Sequence, residues 1–550
     1  MINTILLTVI LSLSLFFTGS VQMKEKADII VRNCTIYTVD ASNRTAECMA
    51  IRDGRIRDVG SEETVMAAYE AGRIIDLDGN YVFPGMIDAH CHFLGYALSL
   101  QYIDLTGCRS FDEVLGRLGK SGENLGKGRW IVGRGWDQNL WPDKGFPDNT
   151  SMNRQFPGLP VVLIRVDGHV VLANDEAMRR AGISMATHGG NSQAVVKNGK
   201  LTGILSETLA DLMREAIPVP SGEELTGLLR QAEKDCFGAG LTVVSDAGLD
   251  HGQVRLIDSL QQSGILKMQV YGMLTPNRKN LEEIVSRGKY LTDRLFVRTI
   301  KIYADGSLGS RTALLKKSYA DAPGVAGISV TGPDSIRELC RIALENDYQV
   351  NTHCIGDSAN NTLLQIYGSF LKGKNDLRWR IEHAQVVDPA DIHFFGDFSI
   401  VPSVQATHAT SDMRWAETRL GPGRMEGAYA YRRLLQENGW IANGTDFPIE
   451  GISPVMTFYA AVSRQDITGY PAGGFMPWNA LSREDALRSI TIWAAKADFL
   501  EQRKGSLEVG KDADFVVLDQ DIMNIPVEKI PATHILNTFL MGEEVFDGKP

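Results

Sequence analysis

Two histidines separated by one residue close the stretch YVFPGMIDAHCH, residues 81–92. In an extended strand, residues two apart point to the same side, so His90 and His92 aim at one point and Cys91 turns away. One such pair is weak on its own. Four more side chains of the right chemistry end other β-like runs: Lys301 in RTIKIYADG, His353 in YQVNTHCIG, His383 in WRIEHAQVV and Asp446 in WIANGTDFP. The chain has only 10 histidines, so random placement does not account for four of them at strand ends. Imidazole nitrogen and carboxylate oxygen suit Zn2+ and neighbouring divalent cations. One open catalytic zinc usually takes three protein ligands and a water, so this surplus favours two metal ions. Lys301 can stand among cations only if it is neutral or converted by CO2 to a carbamate. Taken singly, each histidine is more often a packed or surface residue, Lys301 an ion-pair partner and Asp446 a turn residue. The set carries the weight. Cys354 reads as a packing thiol, and alternation turns Glu382 away from His383.

Eight β-like runs supply these ends: 82–90, 240–248, 266–274, 298–306, 348–356, 379–387, 398–406 and 440–448. Helical stretches such as PDSIRELCRIALEND and SANNTLLQIYGSFLK separate several of them. The fold class is therefore α/β, a (β/α)8 TIM-type barrel, in which functional groups come from the C-terminal ends of the strands. A doubly wound open sheet is the alternative, but no Gly-rich dinucleotide fingerprint follows the first strand. Both chain ends are β-rich. Residues 28–80 read as short strands, with a hairpin at Asp53-Gly54, and ADFVVLD and THILNTFLMGEEVFDG read the same way. We expect a small β-sandwich-like domain from 23–82 and 505–550, and a hydrolase barrel over 83–504. An insertion after barrel strand 1, about 96–235, would lie over the barrel mouth. It carries Trp136, Asp137 and Trp141, which read as packing or as one pocket wall, and a hairpin at Asn198-Gly199.

The 550-residue chain has 44% hydrophobic and 22% charged residues and a formal net charge of −11. No Lys/Arg-rich run is present, which excludes nucleic acid as a partner. A small molecule is the expected partner, and association into a homo-oligomer stays open. Residues 1–22 contain a short apolar run ending in small residues, as in a signal peptide, although no Lys or Arg precedes it. Export to the periplasm or the extracellular space follows if this leader is cleaved, leaving no stable membrane span; a start at Met23 would make the protein cytoplasmic. The 7 cysteines form no CxxC pair and suggest no disulfide framework.

FPGMIDAHCH, IKIYADGSLGSRTA, NTHCIGDSA, RIEHAQ, SVQATHATSDMRWAETRLG, NGTDFPIE and KGSLEVGKDADFVVLD, in this order, resemble the motifs of the amidohydrolase superfamily. The likeness is strongest to the amidohydrolase-3 branch, which includes YtcJ-like proteins and N-substituted formamide deformylase, and it covers nearly the whole chain after Met23. It implies that His90, His92 and Asp446 hold one metal, that His353 and His383 hold the other, and that a carboxylated Lys301 bridges them. The expected reaction is hydrolysis of a carbon–nitrogen bond other than a peptide bond, in an N-acyl or N-formyl amide or a cyclic amide. Metal-activated hydroxide would attack the carbonyl, with Asp446 as general base and acid. His169, Arg311 and His408 are candidate substrate-binding residues. The alternatives are a mononuclear-metal deaminase of an amino-substituted ring, an exported non-catalytic metal-dependent binding protein and, as a minor case, an ester or phosphotriester hydrolase.

Overall fold

A computed structural model describes residues 23–122 and 130–548. The leader reading of 1–22 lies outside these residues. Eight parallel strands form the centre: β1 (Met86–Cys91), β2 (Leu241–Leu249), β3 (Gln269–Leu274), β4 (Leu295–Tyr303), β5 (Gln349–Cys354), β6 (Arg380–His383), β7 (Val401–Val404) and β8 (Ala442–Asn443). Each pairs with the next in chain order, and the sheet curls into a nearly closed barrel. All eight coincide with the runs read from the sequence. The seam between β8 and β1 is bridged just beyond the strands, where Asp446 N donates to His90 O (2.8 Å) and His92 N to Phe447 O (2.8 Å).

Side chains from different strands meet inside the barrel. Ile87, Ala89, Val243, Tyr271, Met273, Phe296, Val401 and Ala442 form one cluster, which Ala494, Ala495 and Ala497 of the helix Ile492–Ala497 join. The opposite faces of the strands pack on the surrounding helices in the largest core cluster. The helix Pro333–Glu345 shows why its sequence folds this way. Pro333 opens it, and Ile336, Leu339, Cys340 and Ala343 are buried at helical spacing along one side. Complete burial of an Ile or Leu of this kind contributes about 1.5–3 kcal/mol.

Two further sheets hold the chain ends. A four-stranded sheet has the order Arg55–Gly60, Cys48–Arg52, Glu25–Arg32, Tyr69–Asp76. A six-stranded sheet joins both ends directly, with Phe515–Leu518 antiparallel to Tyr81–Pro84. Phe515 and Phe539 stack at 4.2 Å between ring centres within the shared core. The Asp53-Gly54 hairpin forms as expected, with Arg52 opposite Arg55 and both turn residues at positive φ (53° and 71°). One departure is the helix Glu62–Ala68 within a stretch read as strands. Ser61 caps it by accepting from Thr64 N, and Glu62 and Glu63 favour its first turn.

After β1 the chain builds a separate six-stranded mixed sheet: Ala194–Lys197, Lys200–Ser206, Val170–Ala173, Val161–Arg165, Ile131–Trp136 and Ile103–Asp104. The Asn198-Gly199 hairpin joins its first two strands. The ends of Ile131–Trp136 and Val161–Arg165 lead to Asp137 and to Arg165-Val166-Asp167, which line the barrel-mouth cavity. Among the described residues no helix is long and apolar enough to cross a membrane. All 7 cysteines are buried and unpaired, Cys91 and Cys354 included.

Candidate metal centre at the barrel mouth

The six residues singled out at strand ends converge. His90 and His383 lie with ring centres 4.9 Å apart, His353 and His383 at 4.6 Å, and His90 and His92 at 5.7 Å. Asp446 Oδ1 is 3.3 Å from His92 Nε2 and 3.7 Å from His90 Nε2. Lys301 Nζ lies 3.3 Å from His90 Nε2. Ligand atoms of His90, His383 and Asp446 fall within 4.8 Å of one another. A cavity of about 170 Å3 opens on this group, with His92, Lys301, His353, His383 and Asp446 in its wall.

Local backbone geometry brings these side chains together. Asp88 ties β1 to the segment after β8: its Oδ1 accepts from Thr445 N (3.0 Å) and His90 N (3.1 Å), and its Oδ2 from Thr445 Oγ1 (2.7 Å). Gly444 permits this approach, because a Cβ there would sit 2.5 Å from His90 N and 2.6 Å from Asp88 Oδ1. Asp446 takes a positive φ of 61°. In β6, Ile381 packs outward with the helix layer, and strict alternation would send His383 the same way. The backbone turns left-handed instead, with φ 74° at His383 and 41° at Ala384, and the ring returns to the mouth.

The partners of each donor test whether this set suits a cation. Glu382 Oε2 lies 2.7 Å from His90 Nδ1. With Glu382 ionised, Nδ1 is the donor, and the Nε2 lone pair is left facing the cluster. Gln405 Oε1 holds His383 Nδ1 at 2.7 Å in the same manner. His353 is held by its other nitrogen, Nε2, which lies 3.3 Å from Gly306 O, so Nδ1 is the one left free. Such outer partners orient metal-ligating histidines. Asp446 Oδ1 is buried and has no hydrogen bond of good geometry. A buried, anionic, unsatisfied oxygen among inward-facing imidazole lone pairs fits a divalent cation.

The electrostatics agree. Burial pushes His353 and His383 well below the ordinary imidazole range, and burial followed by the charge of Lys301 lowers His90, which keeps all three imidazoles neutral. Burial lowers Lys301 to about 8 against the pull of Glu382 and Asp446. Burial alone would raise Asp446, but the hydrogen bond from His408 and the close imidazole of His92 outweigh it and hold the carboxylate well below its usual range. His408 is desolvated too, yet its contacts with Asp446 Oδ2 (3.2 Å) and Glu450 Oε1 (3.0 Å) raise it to about 10.

Of the residues read as substrate-binding, His169 and His408 line the cavity. His169 Nδ1 is 2.9 Å from Glu207 Oε2, and its ring centre lies 5.1 Å from that of His353. Arg311 is not in the cavity wall; its guanidinium grips both oxygens of Asp321, at 3.1 and 2.9 Å. Trp136 and Trp141 pack in the core of the inserted sheet, and Asp137 reaches the cavity. Several cavity residues escaped the sequence reading. Arg165 is fully buried and bonds Asp137 Oδ1 (2.5 Å), Asp167 Oδ2 (2.6 Å) and Gln138 Oε1 (2.8 Å). Its signal was the R-x-D-x-H spacing of RVDGH at a strand end. Glu382, expected to turn away from His383, reaches His90 Nδ1 from inside the barrel, and the left-handed turn at His383 brings that ring against His90 as well.

A parallel barrel with a histidine, lysine and carboxylate cluster at the C-terminal ends of its strands defines a metal-dependent hydrolase. The model of the amidohydrolase family matches residues 73–546, and the chain belongs to that family. It is 25% identical to N-substituted formamide deformylase of Arthrobacter pascens over 545 residues, 94% of this chain and 98% of that protein. It is 32% identical to Protein LONG AFTER FAR-RED 3 of Arabidopsis thaliana over 538 residues, 94% of this chain and 92% of that one. Among solved structures, an uncharacterized metal-dependent hydrolase from Pyrococcus horikoshii superposes with a TM-score of 0.74 at 28% identity, covering 91% of this chain and 99% of that one.

Proposed function

We propose that this enzyme hydrolyses a carbon–nitrogen bond other than a peptide bond, in an N-acyl or N-formyl amine or a cyclic amide. One observation carries the reading: inward-facing lone pairs and an unsatisfied carboxylate oxygen converge on the wall of a single cavity. His90, His92 and Asp446 would hold one divalent ion and His353 and His383 a second, with Lys301 between them as a carbamate. Zn2+ suits these donors. When bound, the ions supply Lewis acidity and lower the pKa of water to about 7. Lys301 is fully buried and makes no ion pair among the described residues, which supports a role other than that of a structural cation.

Asp446 takes the proton of the attacking water and returns it to the leaving amine. His408 holds the carboxylate through Oδ2, so that Oδ1 stays turned to the cluster. His169, braced by Glu207 through Nδ1, presents its Nε2–H to the substrate, whereas both ring nitrogens of His408 are engaged, by Asp446 and Glu450. Arg311 acts at one remove: Asp321 links it to Arg419, which bonds Asn139 Oδ1 at 2.8 Å and Gly309 O at 3.3 Å. Kinship with a formamide deformylase supports an amide substrate.

The test is a panel of N-formyl and N-acyl amines and cyclic amides, assayed with and without chelator, alongside metal content per chain. The expected result is amine release that chelation abolishes, with two metal ions per chain. Turnover that persists after complete metal removal, or none across the panel, overturns the reading. A single-metal deaminase leaves Lys301 without a role; one ion per chain together with ammonia release from a ring amine would favour it.

A further inference from the structure

The cavity at the metal centre adjoins a larger one of about 540 Å3, and His92, Asp167, His169, Tyr303 and Ile449 belong to both walls. Arg134 and Arg214 line only the larger one. Arg214 is engaged, donating to Gly168 O and to Asp211 Oδ1. Arg134 is not: its guanidinium makes no hydrogen bond and no ion pair among the described residues. The neighbouring carboxylates do not compensate it. Asp167 is taken by Arg165 and Ser307, Glu207 by His169 and Asp211 by Arg214, while Glu215 is exposed.

The strand carrying Arg134 is built to deliver it. Gly135 has a φ of 102°, and the register between Ile131–Trp136 and Val161–Arg165 slips between Arg134 and Trp136. Before this bulge Val132 packs with Val162 and Ile164; after it Trp136 packs in the other core, with Ile131 and Leu163. The switch of faces lets the indole stay buried while the guanidinium stays at the cavity. A half-buried cation without a partner, beside a second cation, costs free energy that an anionic ligand would recover. Burial, then the charge of Arg214, lowers Arg134 to about 10, so it remains a cation at neutral pH. A planar guanidinium with free N–H groups matches a carboxylate, which it can hold through two parallel hydrogen bonds.

We propose that Arg134, with Arg214 behind it, docks a carboxylate carried by the substrate, so that the amide cleaved at the metal centre is an N-acyl or N-formyl amino acid or a compound of like charge. This rests on the hydrolase reading above and names its substrate class. The smaller cavity holds the scissile bond and the larger one the charged end.

The test uses the metal-loaded enzyme and a panel of N-formyl- and N-acetyl-amino acids, each paired with its neutral carboxamide. The readout is the ratio of kcat/KM between partners, which does not depend on how much active enzyme a preparation contains. Wild type should favour the carboxylate by about tenfold or more, the worth of a charge-assisted hydrogen bond. Arg134→Gln should bring the ratio close to one, and Arg134→Lys should keep part of it and serves if the Gln variant does not fold. A wild-type ratio of one or below, or a ratio that survives in Arg134→Gln, overturns the proposal. Calorimetric binding of the same pairs separates it from the reading beneath it. Tighter carboxylate binding that needs Arg134, with no hydrolysis of any compound, would refute the hydrolase assignment and leave the carboxylate dock standing. Hydrolysis without charge preference would do the reverse.

Discussion

Replacing Glu382 by Gln tests how the barrel prepares its candidate metal ligands. Glu382 is fully buried, and its Oε2 lies 2.7 Å from His90 Nδ1. Burial alone would raise its pKa, but His90, Arg380 and Lys301 together hold it below the ordinary carboxylate range, so it is ionised at neutral pH. Glutamine keeps the shape and an acceptor oxygen and removes only the charge. The loss is then the difference between a charge-assisted hydrogen bond, about 1.5–3 kcal/mol, and a neutral one, about 1 kcal/mol. That leaves about 0.5–2 kcal/mol, or roughly 2- to 30-fold in metal affinity, overlapping the range of about 10- to 100-fold typical of such outer partners. Competition against a chromophoric chelator measures the affinity directly, and kcat/KM at saturating metal reports whatever loss remains once the site is filled. Should Glu382→Gln bind metal within about twofold of wild type, Glu382 is not tuning His90, and the proposed ligand preparation is wrong.

Asp446→Asn should retain much of the bound metal and lose about 10^2- to 10^4-fold in kcat, measured on metal-saturated protein; wild-type turnover would remove Asp446 as the base. Lys504 is 1% exposed and bonds Asp512 Oδ2 at 2.8 Å and Asp514 Oδ2 at 2.6 Å. Lys504→Met takes the cation from buried Asp514 and leaves Asp512 to Arg503 (3.0 Å), and urea titration should show a loss of about 3–5 kcal/mol. In metal-free protein the His169–Glu207 pair gives a pH signature. Burial lowers the pKa of His169, but Glu207 and Asp167 raise it to about 9, above its unfolded value near 6.5. The associated stability is complete below about pH 6.5 and disappears as pH rises through about 9. Melting temperature between these limits should therefore fall more steeply in wild type than in His169→Gln, and parallel curves would contradict the pairing.

The sequence by itself determined which barrel strands exist, their order and the chemistry at their ends. Local patterns carry that information: alternating apolar runs with His90, His353 or Asp446 at a terminus, a Pro-initiated helix at 333, and Asp-Gly and Asn-Gly turns. The barrel follows because parallel strands joined by helices have few ways to bury both faces. What joins distant segments was decided only by tertiary structure. Asp88 holding Thr445, Glu382 holding His90 and Gln405 holding His383 are partners whose separations along the chain carry no periodic signal. His383 itself reaches the cluster through a left-handed backbone that alternation does not predict. Arg134 and Arg311 show the same limit at the cavity: both are arginines in Gly-rich or loop segments, and only packing leaves one free at the wall and pairs the other with Asp321. Side-chain type and spacing announce a candidate metal cage because they recur at the ends of five of the eight barrel strands. Which neighbours satisfy each polar group depends on three-dimensional proximity between segments hundreds of residues apart.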